Sequence, residues 1–262
     1  MDPRSAPFLF VFPFLSRIIF APPAHNVIVA FWNKRGDGMS ALIDMQGICK
    51  RYTAGGQTVR ALDGVDFAVQ AGEMVAILGP SGSGKSTLMN VLGCLDVPDA
   101  GRYQLAGQAV DKMSEGQLSR VRGRTVGFVF QGFHLLPGLT ARENVELPLL
   151  YRGVPERRRR ALVEDSLRQV GLAGRMEHRP AQLSGGQQQR GAIARAIAGQ
   201  PPVLLADEPT GNLDTAAGRE IMGLLQQLHA GGHTVVIITH DPRIGAACPR
   251  RVVMEDGRLR EE

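Results

Sequence analysis

Nine consecutive residues carry the strongest chemical signal in the chain: Gly79-Pro80-Ser81-Gly82-Ser83-Gly84-Lys85-Ser86-Thr87. They satisfy the pattern GxxxxGK[ST]. Glycines let such a loop turn its backbone N–H groups inward around phosphate oxygens. A helix starting at the end of the loop adds the positive end of its dipole. In this setting Lys85 reaches β- and γ-phosphates, and the Ser86 hydroxyl ligates magnesium. The candidate phosphate contacts are Gly79, Ser81, Gly82, Ser83, Gly84, Lys85, Ser86 and Thr87. The pattern has force only between a strand and a helix. Apolar Met74–Leu78 and the run 86–92 occupy those places.

Further along, Val203-Leu204-Leu205-Ala206-Asp207-Glu208 reads as a buried strand ending in two carboxylates. Behind a phosphate loop, and followed by Pro209-Thr210-Gly211, the pair has distinct work to do. Asp207 suits magnesium through water, and Glu208 is placed to polarise a water for attack on a γ-phosphate. A third motif, Leu183-Ser184-Gly185-Gly186-Gln187, stands before a helical run at 188–198. Small residues at a helix start make another anion site. A chain with one phosphate loop has no local use for a second, unless that site completes the nucleotide pocket of another subunit.

At these residues the chain resembles the ABC transporter ATPases, whose signature sequence is LSGGQ. The resemblance covers residues 41–262 and implies a head-to-tail homodimer that sandwiches two ATP molecules. Ser184, Gly185, Gly186 and Gln187 would then touch the nucleotide held by the partner subunit's phosphate loop. The resemblance also implies that Tyr52 stacks on adenine and that Asp214 crosses the dimer interface. Gln131 matches the glutamine that senses the γ-phosphate, joins the magnesium site and contacts a transmembrane partner. His240 matches the switch histidine beside the γ-phosphate, giving Glu208, His240 and Gln131 as catalytic candidates and Ser86, Gln131 and Asp207 as metal candidates. ATP and magnesium are the implied cofactors.

The stretches GPSGSGKSTLMNVLGCLD, GFVFQGFHLLPGLTARENVELPLLY, LSGGQQQR and LLADEPTGNLD narrow the likeness to the MacB/LolD/FtsE subgroup. That subgroup serves macrolide and peptide export, lipoprotein release or cell-division signalling. It implies a permease partner of the MacB, LolC, LolE or FtsX kind, a place on the cytoplasmic side of the inner membrane, and mechanotransmission. Gly191 departs from the subgroup, which usually has valine there. Glycine within a helix costs about 1 kcal/mol relative to alanine, and it removes a packing side chain behind the signature. The alternatives are an ATPase of a cell-division signalling complex and a soluble, non-transport ABC ATPase. DNA-repair members need a long coiled coil that the interval from Lys85 to Ser184 cannot hold, and ribosome-acting members carry two such domains.

The bulk composition agrees. Thirty basic and 25 acidic residues give a formal charge of +5 with no basic tail, so nucleic acid is not an expected partner. The one dense run, at 157–160, reads as a solvated helix face. Cys49, Cys94 and Cys248 form no CxxC pair, which speaks against zinc or a disulfide framework; each reads as a small buried hydrophobe.

The elements that must position these groups follow from periodicity. The runs 65–69, Met74–Leu78, 125–130, 203–206 and Thr234–Thr239 read as strands, the last three nearly continuous and β-branched as in a sheet buried on both faces. Ile221, Leu224, Leu225 and Leu228 make one apolar helix face between the last two. Alternating strand and helix predicts an α/β fold. A P-loop core with a mainly parallel sheet should carry an antiparallel β-subdomain, built from residues about 41–75 and a hairpin near 102–110, and a helical insert at about 133–183. Residues 1–38 hold five prolines and no period, so they are expected to be a disordered extension. Their apolar patch at 8–20 would be an aggregation liability on an exposed extension, and the resemblance starts at Ala41, so translation is expected to begin at Met39; the alternative is a membrane-surface anchor.

Overall fold

The computed structural model describes residues 41–54 and 57–262. The segment 1–38 and the start at Met39 lie outside the described residues. The first sheet is antiparallel, with strands β1 (Ile43–Ala54), β2 (Gln57–Val69), β4 (Ala100–Leu105) and β5 (Gln108–Ala109) in the order β2-β1-β4-β5. The second contains β3 (Met74–Leu78), β6 (Val126–Val129), β7 (Val203–Asp207), β8 (Thr234–Thr239), β9 (Arg250–Glu255) and β10 (Arg258–Glu261) in the order β10-β9-β3-β8-β7-β6. Its pairings are parallel except for the β9–β10 hairpin.

Side-chain alternation divides the core in two. Val75, Ile77, Val203, Leu205, Val236 and Ile238 face the antiparallel sheet and α1 (Lys85–Leu92). Met74, Ala76, Leu204, Ala206, Val235 and Ile237 face the helical side. There they meet α3 (Ala141–Tyr151), α4 (Glu156–Gln169), α5 (Gly185–Ile197) and α6 (Thr215–Ala230). All six residues of β8 are buried, which explains why its sequence is a continuous apolar run rather than an alternating one. Between Gln131 and Ser184 lie α3, α4 and two short 3-10 turns, Ala173–Arg175 and Pro180–Gln182. The last two elements are α2 (Glu115–Thr125) and the short α7 (Pro242–Ala246). Among the described residues no helix is long and apolar enough to cross a membrane.

Several boundaries differ from the sequence pattern for physical reasons. Thr125 belongs to α2, which runs into β6 with no loop; Val126 is both helix cap and first strand residue. Strand β2 extends to Gln57 because pairing with β1 overrides the weak strand propensity of Asp63 and Gly64, with register shifts along the way. Helix α5 begins at Gly185, because Ser184 and Gln187 cap each other reciprocally and so allow glycines in the first turn. Cys94 and Cys248 are buried, with thiols pushed up to about 11 by burial, but Cys49 is only half-buried, correcting its expected place in the core. In the 157–160 run, Arg159 pairs with Glu146 at 2.8 Å, so only part of that face is free.

Tyr103 of β4 joins the two sheets' shared core to α1. Its ring is buried, and its hydroxyl donates to the Leu92 carbonyl at 2.7 Å, satisfying an acceptor left open at the helix end. Removing that hydroxyl strands a buried carbonyl. Tyr103→Phe is expected to lower the unfolding free energy by about 1–3 kcal/mol with an unchanged urea m-value. A urea midpoint equal to that of the parent protein would show that the bond adds nothing.

Candidate functional site

Register places the chemistry in a row. Leu78 pairs with Thr239, Asp207 with Ile238, and Val129 with Ala206. The strands' carboxyl ends are therefore level, and Gly79, His240, Glu208 and Gln131 emerge along one edge. Ligands of open α/β sheets bind outside such ends. A cleft of about 580 Å³ opens there. Ser81 to Thr87, Gln131, Asp207 and Glu208 line it, joined by Val59, Arg60 and Ala61 from β2 and by Asp256 and Gly257 from the β9–β10 turn.

The phosphate loop is built to give its donors away. Helix α1 starts at Gly84 with no side-chain cap and no acid in its first turn, whereas α3, α5 and α6 are capped by Thr140, Ser184 and Asp214. The first N–H groups of α1 are thus left for an anion. Gly84 takes φ +105, and a β-carbon there would collide with the Ala61 carbonyl; at Gly79 it would collide with the Met254 carbonyl. The buried Ser83 hydroxyl has no protein partner. These features fit a polyphosphate. Lys85 Nζ donates to the Gly79 and Pro80 carbonyls at 2.8 and 2.7 Å, which leaves its third proton for a ligand. Burial lowers the Lys85 pKa, opposed by the charges of Glu208 and Asp207.

Opposite the lysine, burial raises the Asp207 pKa, helped by the charge of Glu208 and opposed by Lys85. A cation would relieve that strain, so Asp207 and the Ser86 hydroxyl could hold a hard metal ion. Glu208 stands in the left-handed region at φ +44. Its carboxylate accepts from Thr239 Oγ1 at 2.9 Å and from the His240 main-chain N–H at 2.9 Å, and lies 2.6 Å from His240 Nδ1. A neutral His240 that donates from Nδ1 keeps only a lone pair on Nε2. To donate to a phosphate oxygen from Nε2 it must gain a proton or release Glu208.

The signature residues are elsewhere. Ser184, Gly186 and Gln187 line a second cavity with Arg175, Arg190 and Asp214, and none of these residues lines the phosphate cleft. Gly185 lies at the start of the same helix. One chain therefore does not bring its phosphate loop and its signature residues together. Tyr52 does not line the cleft either. It stands beside it on β1, paired with Val59, and its hydroxyl donates to Asp96 at 2.9 Å. Lys50 Nζ lies over the Tyr52 ring, 5.5 Å from its centroid. Asp214 caps α6 by accepting from Ala216 N and Ala217 N.

Several positions carried no sequence signal. Arg195 donates to the carbonyls of Phe133 and His134, holding two consecutive left-handed residues. Buried Asn144 binds Leu136 N and the carbonyls of Leu136, Leu139 and Thr140. Gln189, also buried, ties α5 to the Pro209 and Phe130 carbonyls. Gly191 does not leave a gap: a β-carbon there would be 3.3 Å from Leu135, whose side chain occupies the space. Only the Asp256-Gly257 turn was findable, since Asp-Gly between two strand-like runs is a hairpin signal.

Comparison with known proteins places this geometry. The family profile described as ABC transporter matches residues 62–211. The macrolide export ATP-binding/permease protein MacB 1/2 of Paracoccus denitrificans is 50% identical over 218 residues, covering 83% of this chain and 33% of that protein. The macrolide export ATP-binding/permease protein MacB of Photorhabdus laumondii is 50% identical over 221 residues, covering 84% and 34%. The chain spans about a third of the length of these curated relatives. Among solved structures, a dimeric ATP-binding cassette in a post-hydrolysis state bound to ADP and Pi superposes with a TM-score of 0.77. It is 42% identical, covering 84% of this chain and 97% of that one.

The raised pKa of Asp207 has a measurable sign. Its ionised form is disfavoured in the nucleotide-free fold, so above the raised value it destabilises, and the penalty fades as pH falls toward the ordinary 3.8. Asp207→Asn is expected to raise the thermal midpoint of the nucleotide-free protein near about pH 7.5, with a smaller gain at lower pH. Scanning calorimetry over a pH series checks this, and equal midpoints at the higher pH would contradict it.

Proposed function

The chain belongs to the ABC transporter family of ATP-binding proteins, and from that premise we propose that it is the ATP-hydrolysing motor of an export-type transporter, working as a head-to-tail homodimer. The observation that carries this is the separation of the phosphate loop at Gly84 and the signature at Ser184 into two cavities of one chain. Neither alone encloses a nucleotide. Facing a second copy, each phosphate cleft gains the other's signature, which also accounts for Asp214 lining the signature cavity.

Within the cleft the backbone N–H groups of residues 82–87 and Lys85 bind the phosphates. Ser86, Gln131 and Asp207 would hold magnesium, which when bound neutralises charge on the β- and γ-phosphates. Glu208 takes a proton from the attacking water as the water reaches the γ-phosphorus and the bond to the β-phosphate oxygen breaks. Thr239 and His240 aim that carboxylate, and Tyr52, held by Asp96, offers its open ring face to adenine.

A membrane partner fits the segment 131–139. This stretch starts at Gln131 in the cleft, runs past exposed Leu136 and is bound by Asn144 to α3, whose end exposes Leu150 and Tyr151. One element thus touches both the nucleotide site and an apolar surface, as coupling requires. The partner is a permease of the MacB, LolC, LolE or FtsX kind, and the place of work is the cytoplasmic side of the inner membrane. A signalling complex would use the same motor with a different partner.

Glu208→Gln keeps the shape of the base but cannot take the proton. Turnover is expected to fall about 10²–10⁴-fold while ATP binding persists and a dimer appears in gel filtration with magnesium and ATP. A monomer hydrolysing ATP at the parent rate would reject both the base and the sandwich. Lys85→Ala should abolish turnover by weakening phosphate binding, and unchanged steady-state ATPase would remove the lysine from the site. Alanine at Phe133, Leu135 and Leu136 together should leave nucleotide binding intact and uncouple ATPase from transport; full transport by that variant would count against the coupling role.

A further inference from the structure

Gln131 and Asn212 meet across 81 positions of sequence through two hydrogen bonds. The Asn212 side-chain N–H₂ donates to the Gln131 main-chain carbonyl at 3.1 Å, and the Gln131 side-chain N–H₂ donates to Asn212 Oδ1 at 3.0 Å. The first bond dictates the second. A main-chain carbonyl only accepts, so Asn212 must turn its nitrogen toward it. Its oxygen then faces the Gln131 side chain, and that oxygen too only accepts. Gln131 is obliged to offer Nε2 to Asn212, leaving Oε1 without a donor among the described residues, on a side chain that lines the cleft with Ser86 and Asp207.

The contact also needs Gly211. A β-carbon there would stand 2.7 Å from Gln131 Nε2 and 3.0 Å from its Cδ, so the glutamine lies directly over a bare backbone. Gln131 and Asn212 are both exposed. An exposed, unpaired glutamine amide rotates freely, and one of its two orientations presents N–H₂ to a cation.

We propose that Asn212 is a positioning residue that fixes the side-chain amide of Gln131 with its oxygen toward the metal. The proposal rests on Gln131 being a magnesium ligand, as put forward above. Hard cations take oxygen ligands, so the orientation selected by Asn212 is the one that a magnesium ion can use. The order of information is unusual: a main-chain carbonyl sets one amide, which sets a second, which presents the ligand atom. Asn212 lies two residues before Asp214, so the same pair ties the metal side of the cleft to the cap of α6.

The test measures binding rather than turnover. Affinity for a fluorescent ATP analogue is determined in EDTA and across a magnesium titration, for the parent protein, Asn212→Ala, Gly211→Ala and Gln131→Ala. In EDTA, Asn212→Ala should bind the analogue as the parent does. Its half-saturating magnesium concentration should rise about fivefold, the usual net effect of one neutral hydrogen bond, and Gly211→Ala should shift the same way. A magnesium titration of Asn212→Ala that overlays the parent, while Gln131→Ala is shifted, refutes the positioning role and leaves the ligand role standing. If Gln131→Ala overlays the parent as well, the ligand role itself fails. Equal weakening of Asn212→Ala with and without magnesium assigns Asn212 to general support of the fold and also overturns the proposal.

Discussion

The structure depends on a loop that cannot hold itself. A phosphate loop that reserves most of its N–H groups for a polyanion has few to spend on its own stability, here Ser83 N to the Pro80 carbonyl at 3.3 Å, so most of its shape must be imposed from outside. Three outside contacts and one internal bridge do this. Gly84 sits under the Ala61 carbonyl of β2, and Gly79 rests against the Met254 carbonyl of β9. Gly257 N donates to the Ser83 carbonyl at 3.0 Å. Lys85 bridges the Gly79 and Pro80 carbonyls from within. The placement of β9 beside β3, and of β2 over the loop, is what makes these contacts available. The level carboxyl ends of β3, β8, β7 and β6 then set the carboxylates, the histidine and the glutamine along the same edge.

Much of this was legible in the sequence, and the reasons for success and failure are separable. Strand β8 was found to the residue, since a continuous, β-branched run buried on both faces stands out from the polar and glycine-rich residues around it. The phosphate loop and the acidic pair were found because their chemistry restricts residue type at fixed local spacing. The long β2 was not found, because its outer half is made by pairing with β1 rather than by its own composition. The same holds for Asn144, Gln189, Arg195 and Asn212. Each is an ordinary polar residue in sequence, and its role comes from a main-chain carbonyl brought near by folding. The Gly191 departure suggested a missing contact behind the signature. Leu135, from a distant segment, takes up that space, a compensation that no local pattern encodes.

The segment between Gln131 and α3 is irregular but not loose. Phe133 and His134 adopt φ +58 and +52, a conformation costly for residues with side chains, which persists only where surrounding groups over-determine it. The over-determination is visible: Arg195 takes both carbonyls, Asn144 takes the next turn, and Leu135 fits over Gly191. Burial lowers the Arg195 pKa, but the group remains charged in a protein. A displacement of α5 therefore cannot leave the segment unmoved without stranding that cation. Signature helix and glutamine segment are bound to travel together.

The hairpin turn at Asp256-Gly257 has a consequence for how the domain comes into being during synthesis. Chains emerge from the ribosome amino end first and fold as segments become available. Yet the loop at 79–87 is braced by the last strands of the domain, and the Ser83–Gly257 contact closes an interval of most of its length. Contacts of such separation form late. The strands, helices and carboxylates can assemble beforehand, but the nascent protein has no finished phosphate cradle until β9 and the turn have arrived. The cradle for a polyphosphate is thereby among the last parts of the domain to take shape.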